Sequence, residues 1–122
     1  MTNPEKLMNG LKDKNLELSK INGELKDLAN DKAEAERDYR LARMKWTLKL
    51  REKGLAVTII KDIVRGKVAT EKFDYDIASE TYEIMKKKAW DLRTAIETYR
   101  SLLSWEKAEF QQSGIQDEMQ NN

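Results

Sequence analysis

The stretch Lys53-Gly54-Leu55-Ala56-Val57-Thr58-Ile59-Ile60-Lys61-Asp62-Ile63-Val64-Arg65-Gly66-Lys67 decides the fold of this chain. Its apolar positions Ala56, Ile59, Ile60, Ile63 and Val64 recur at helical spacing, which predicts a short amphipathic helix over 56–65. Gly54 supplies the left-handed residue that ends the helix before it, and Gly66 closes the short helix itself.

On the amino-terminal side, steps of four and three from Leu7 pass through Leu11, Lys14, Leu18, Ile21, Leu25, Leu28, Lys32, Ala35, Tyr39, Ala42, Trp46 and Lys49, most of them apolar or aromatic. This is a sustained heptad seam. Asn3, Pro4 and Glu5 form its start, with a capping oxygen, a proline suited to the first turn and an acid facing the helix dipole. A helix over 4–53 follows. On the carboxy-terminal side the same steps run from Val68 through Glu71, Tyr75, Ala78, Tyr82, Met85, Ala89, Leu92, Ile96, Tyr99, Leu103 and Glu106 to Phe110, predicting a helix over 67–110. Residues 111–122 lose the periodicity and read as a flexible tail. The expected fold is all-α: an antiparallel long-helix hairpin, coiled-coil-like, forming one domain over 1–110. Its short connecting helix builds a small head whose core draws on Trp46, Leu48, Leu50, Leu55, Val57, Ile59, Ile60, Ile63, Val64, Val68 and Phe73.

The third helix carries a second stripe beside the first: Ile77, Thr81, Ile84, Lys88, Asp91, Ala95, Thr98, Leu102 and Trp105. Two seams imply two helical neighbours. The stripe therefore predicts a homo-oligomer, most simply a two-fold dimer, with Ile77, Ile84, Ala95, Leu102 and Trp105 at the interface; the bland alternative is a wider intramolecular seam.

The chain lacks cysteine and histidine, which removes disulfides, thiolate nucleophiles, imidazole bases and His-ligated metals. No phosphate-binding loop, dinucleotide fingerprint or calcium loop occurs, and carboxylate pairs such as Asp27 with Asp31 or Asp76 with Glu80 read as solvated faces. No catalytic residue, metal or cofactor is expected. The longest apolar run, Gly54 to Ile60, is far short of the roughly 18 to 20 residues of a membrane span. The start of the chain resembles no signal peptide. The reading is a soluble, cytoplasmic protein with no membrane partner.

Charge is segregated although the net value is only +1. Residues 1–40 carry net −1, residues 41–67 net +6 and residues 68–122 net −4. The central block makes Arg43, Lys49, Arg51, Lys53, Lys61, Arg65 and Lys67 the candidate surface for an acidic partner, either DNA or RNA or an acidic surface of a host or phage protein. Asp74, Asp76, Glu80 and Glu83 are placed to neutralise part of it. A helix-turn-helix with Gly66 as the turn glycine fails: the close-crossing position is Asp62, the apolar anchor is Lys72, and Asp74 and Asp76 would meet the groove.

The segment Leu48 to Gly66, preceded by Ala33-Glu34-Ala35-Glu36-Arg37-Asp38-Tyr39-Arg40-Leu41-Ala42, resembles small uncharacterised helical proteins of Gram-positive phages and prophages, over roughly residues 30–110. Such proteins are accessory factors expressed with replication or recombination genes, or countermeasures against host machinery. The resemblance implies an association with nucleic-acid metabolism in a host cytoplasm and assigns no ligand residues. The expected function is thus a non-enzymatic, oligomeric accessory protein whose basic head binds nucleic acid or a nucleic-acid-processing enzyme of phage or host. The rivals are a structural scaffold coiled coil and an inhibitor of a host or defence enzyme acting by protein contact.

Overall fold

A computed structural model describes residues 3–120, with side chains through 114. Three helices account for it, with no strand among the described residues: α1 (Pro4–Glu52), α2 (Val57–Lys67) and α3 (Ala69–Gln120). Two long helices joined by a short one make a helical hairpin. No helix among the described residues is long and apolar enough to cross a membrane.

The start of α1 is capped as its sequence requires, the Glu5 N–H donating to Asn3 Oδ1 at 3.0 Å. Its end is also as expected. Gly54 has φ +76°, and its N–H donates to the Arg51 carbonyl at 2.9 Å. Gly66 does not play the second stop. It has no positive φ and lies inside α2, which runs to Lys67 rather than 65. The break falls instead at Val68, the one residue between α2 and α3, with φ −105° and ψ 14°. The Val68 N–H still donates to Val64 and its carbonyl still accepts from Lys72, both at 2.9 Å, so the chain kinks there while keeping its hydrogen bonds. The kink residue is part of the head core, Val68 being only 2% exposed.

The third helix also outruns its expected end. Residues 111–120, read as flexible tail, continue α3 to Gln120, and Asn121 and Asn122 lie outside the described residues. Gln111, Gln112, Gln116, Glu118, Met119 and Gln120 are good helix formers, so intrinsic propensity prolongs the helix past the last seam position.

Both seams face inward as spaced. Of the thirteen α1 seam residues all but Lys49 are buried or half-buried, and of the thirteen from Val68 onward all but Phe110. Contacts group the chain into two compact units, Met1–Asn22 with Lys87–Asn122, and Gly23–Lys86. In the first, Leu7 and Ile21 of α1 and Ala89, Leu92 and Ile96 of α3 are buried. Gly10 there admits the Tyr99 ring so closely that a Cβ would stand 2.7 Å from it. In the second, Tyr39 meets Tyr75 while Lys32 meets Tyr82 and Glu83, so α1 and α3 run antiparallel. Lys32, half-buried on the seam, holds its ammonium over the Tyr82 ring, 5.1 Å from the centroid, and reaches Glu83 at 3.8 Å.

The head core is smaller than the composition suggests. Leu50, Ile60, Val64 and Val68 form it, with Tyr39, Ala42, Trp46 and Ile63 packed around. Leu48, Leu55, Val57, Ile59 and Phe73, expected inside, are exposed. Val57 and Ile59 precede the first buried residue of α2, Ile60, while Leu48, Leu55 and Phe73 belong to α1, the turn and α3.

The glycines separate in a denaturation experiment. Gly66→Ala raises the midpoint by the equivalent of roughly 0.5–1 kcal/mol, since nothing lies near its added Cβ and the residue is helical. Gly54→Ala lowers it, because φ +76° strains an L side chain. Equal effects from the two would contradict the placement of the turn.

Candidate polyanion-binding groove

The three helices of the Gly23–Lys86 unit enclose a groove of about 720 Å3. Its floor is apolar: Ile60 and Val64, one turn apart on α2, and Val68 at the kink. Because Lys61 and Arg65 directly follow these buried residues along α2, the helical rotation brings them to the rim. Arg43 and Arg51 of α1 and Lys72 of α3 complete a cationic lining, against which Asp76 is the only acid. Val57 and Phe73, pushed out of the core, form part of the wall.

Four of the seven predicted cations therefore converge: Arg43, Arg51, Lys61 and Arg65. Lys49 and Lys67 do not. Each sits over the Trp46 ring, 5.0 Å from its centroid, outside the groove lining. Lys53 is exposed in the turn after α1 and does not line the groove. Lys72 is a groove residue that a segment-by-segment charge count misses, because it lies beyond the basic block. Its spacing four residues before Asp76 and four after the kink is the signal that could have found it.

Among the described residues, none of the seven predicted cations has a carboxylate within ion-pair distance. The pairs that form lie elsewhere: Lys14–Glu17, Arg37 with Glu34 and Asp38, Arg40–Glu36, Lys32–Glu83 and Lys72–Asp76. Of the four acids expected to neutralise the patch, only Asp76 reaches the groove, and it is taken by Lys72 at 2.9 and 3.1 Å. The hydrogen bond to Asp76 holds the Lys72 ammonium above the ordinary lysine value of 10.5. Its stabilising effect is fully present below that value and is lost only as pH rises through the raised one, so Lys72 stays cationic at neutral pH.

Tyr39 backs this wall. Its ring stacks on Tyr75, centroids 6.0 Å apart and planes 2° from parallel, and the Arg43 guanidinium and Lys72 ammonium lie 5.5 and 5.7 Å from its centroid. The aromatic pair thus orients two of the five cations. No cluster of three or more potential metal ligands occurs among the described residues.

The predicted interface residues divide between the units. Ile77 and Ile84 are 52% and 62% exposed, Leu102 and Trp105 are 40% and 73% exposed, and Ala95 is half-buried against its own unit. Thr81 and Thr98 donate their hydroxyls to the carbonyls of Ile77 and Thr94 at 2.8 and 3.0 Å, which spends their polar groups within the helix. Trp90, 66% exposed on α3, belongs to neither predicted stripe.

Fold and site together define a helical-hairpin protein with a cationic, apolar-floored groove at its short helix. The chain matches no protein-family profile, no curated sequence and no solved structure.

Asp76→Asn removes the groove's only acid and frees Lys72. On a phosphocellulose column it moves elution to higher salt by more than Glu97→Gln, a change of equal charge in the other unit. Equal shifts would show that net charge, and not the groove, governs retention.

Proposed function

We propose that this protein acts by binding rather than catalysis, and that its ligand is a nucleic-acid backbone held in the cationic groove. The observation that carries this reading is that Arg43, Arg51, Lys61 and Arg65 share the groove and have no carboxylate partner among the described residues. Lys61 and Arg65 are like charges one turn apart, an arrangement that costs a helix roughly 0.2–0.5 kcal/mol. Clustered cations with no carboxylate partner among the described residues gain their compensation from a ligand with closely spaced negative charge, and phosphodiester backbones supply it. The three arginines suit phosphate oxygens, which accept from a guanidinium fork in pairs. The resemblance of residues 30–110 to small phage and prophage proteins agrees with an accessory role in nucleic-acid metabolism.

The same proposal includes a homodimer through the outer face of α3. Ile77, Ile84, Leu102 and Trp105 are large apolar side chains that the chain itself leaves in water.

Light scattering of the protein with short DNA across a salt series tests the first part. Complex formation falls steeply with salt, and Lys61→Glu with Arg65→Glu abolishes it at moderate salt, lowering the slope of log affinity against log salt by about two. Lys12→Glu with Lys20→Glu, exposed on α1 in the other unit, leaves it nearly unchanged. Binding that survives the groove reversal would point to a scaffold or inhibitor whose partner docks elsewhere. Scattering in the absence of DNA tests the second part: the wild-type mass is that of a dimer, and Ile84→Glu brings it to that of a monomer. A wild-type monomer would remove the interface.

A further inference from the structure

We infer that the groove takes an unpaired nucleobase, so that single-stranded nucleic acid rather than duplex is its ligand. This rests on the polyanion reading above and narrows it. Phosphate binding alone accounts for the rim but not for the interior. Ile60, Val64 and Val68 form an apolar floor, and Phe73 lines the wall while 63% exposed. A duplex hides its base faces in its own stack and offers a groove of this size only phosphates, which would leave Phe73 in water. At about 720 Å3 the groove falls within the roughly 300–1,000 Å3 of small-molecule clefts, room for a base and its sugar but not for a double helix.

A single strand presents phosphates and π-faces together. Cationic tracks with an exposed aromatic are the general means by which proteins hold it, the charges following the backbone and the ring stacking a base. Here Phe73 immediately follows Lys72 on α3, and Lys61 and Arg65 of α2 and Arg43 and Arg51 of α1 line the same groove. Tyr39, the other groove aromatic, is half-buried and already stacked on Tyr75, which leaves Phe73 as the platform. An acidic amphipathic helix would satisfy the same cations, but such helices seat anchors over several turns in a long apolar trough. The floor here comes from about two turns of α2 and its kink.

Fluorescence anisotropy of the full-length chain with labelled oligothymidylate, and with a duplex of equal length, tests the inference at low salt. The single strand binds more tightly. Phe73→Ala weakens it by about 5- to 150-fold, the range for one lost base–aromatic stack, and leaves duplex binding unchanged. Phe73→Tyr restores affinity and Phe73→Leu does not, which separates stacking from apolar burial. Circular dichroism and scattering of Phe73→Ala match wild type; a changed mass would assign Phe73 to the oligomer and overturn the inference. Equal binding of both DNA forms with no effect at Phe73 overturns base insertion while leaving the polyanion reading in place. Failure of both forms to bind overturns both. Tighter capture of polyglutamate than of oligothymidylate overturns both in favour of a protein partner.

Discussion

The closure of Leu50, Ile60, Val64 and Val68 on one another is the contact on which the head depends. An isolated helix as short as α2 is unstable in water, and α2 has few polar means of holding its place. Its N-cap is Ala56, which makes no side-chain cap, and none of its charged residues forms an ion pair among the described residues. What fixes it is apolar burial, worth about 1.5–3 kcal/mol for each fully buried aliphatic side chain. The same burial sets the direction of everything polar on α2. With Ile60 and Val64 turned inward, the residues one step further along the helix stand beside the core stripe and line the groove. Electrostatics of the head is thus a consequence of four aliphatic side chains.

The long helices were legible because seam spacing is a repeated signal. An error at one position is corrected by the next, so even Lys14, Lys32, Glu71 and Glu106 take their inward places. The cost of such a place shows at Glu71, where one carboxylate oxygen is buried without a hydrogen-bond partner among the described residues. Single-position signals fared differently. Gly54 and Gly66 look alike in the sequence, yet only Gly54 takes the left-handed conformation. The second break falls at Val68, a buried seam residue, and no local pattern announces it. The end of α3 shows the converse, where propensity without packing carries the helix past the last seam residue.

At the candidate site, sequence composition located the cations but not their grouping. Arg43, Arg51, Lys61 and Arg65 share a groove, whereas Lys49 and Lys67 share the Trp46 ring, and this division depends on helix phase across three elements. As a groove cation Lys72 was missed because it follows the basic block and precedes a run of acids. The exposed apolar residues were misjudged in the opposite sense: counting large side chains between Trp46 and Phe73 overestimates the core, because a count does not say which face of its element each side chain takes. Phe73, placed inside by that count, stands instead in the groove wall.

The ion pairs give the arrangement its meaning. Five of the six join neighbours along one helix, and only Lys32–Glu83 links α1 to α3. Arg37 and Arg40 are paired with acids of their own turns, while Arg43, less than one turn further, has only the Tyr39 ring. Along α1, pairing therefore stops at the groove, whose own ion pair is Lys72–Asp76 on α3. Exposed pairs of this kind contribute at most about 1 kcal/mol each, so adding acids near the head would have changed stability little. Glu52 and Asp62 are the only acids in residues 41–67, and neither pairs with a cation among the described residues. The net +6 of that block consequently survives folding as an uncompensated field around an apolar hollow. Neither stability nor the hairpin topology calls for that combination, whereas a ligand carrying charge on its outside and a flat apolar face within would use both parts of it.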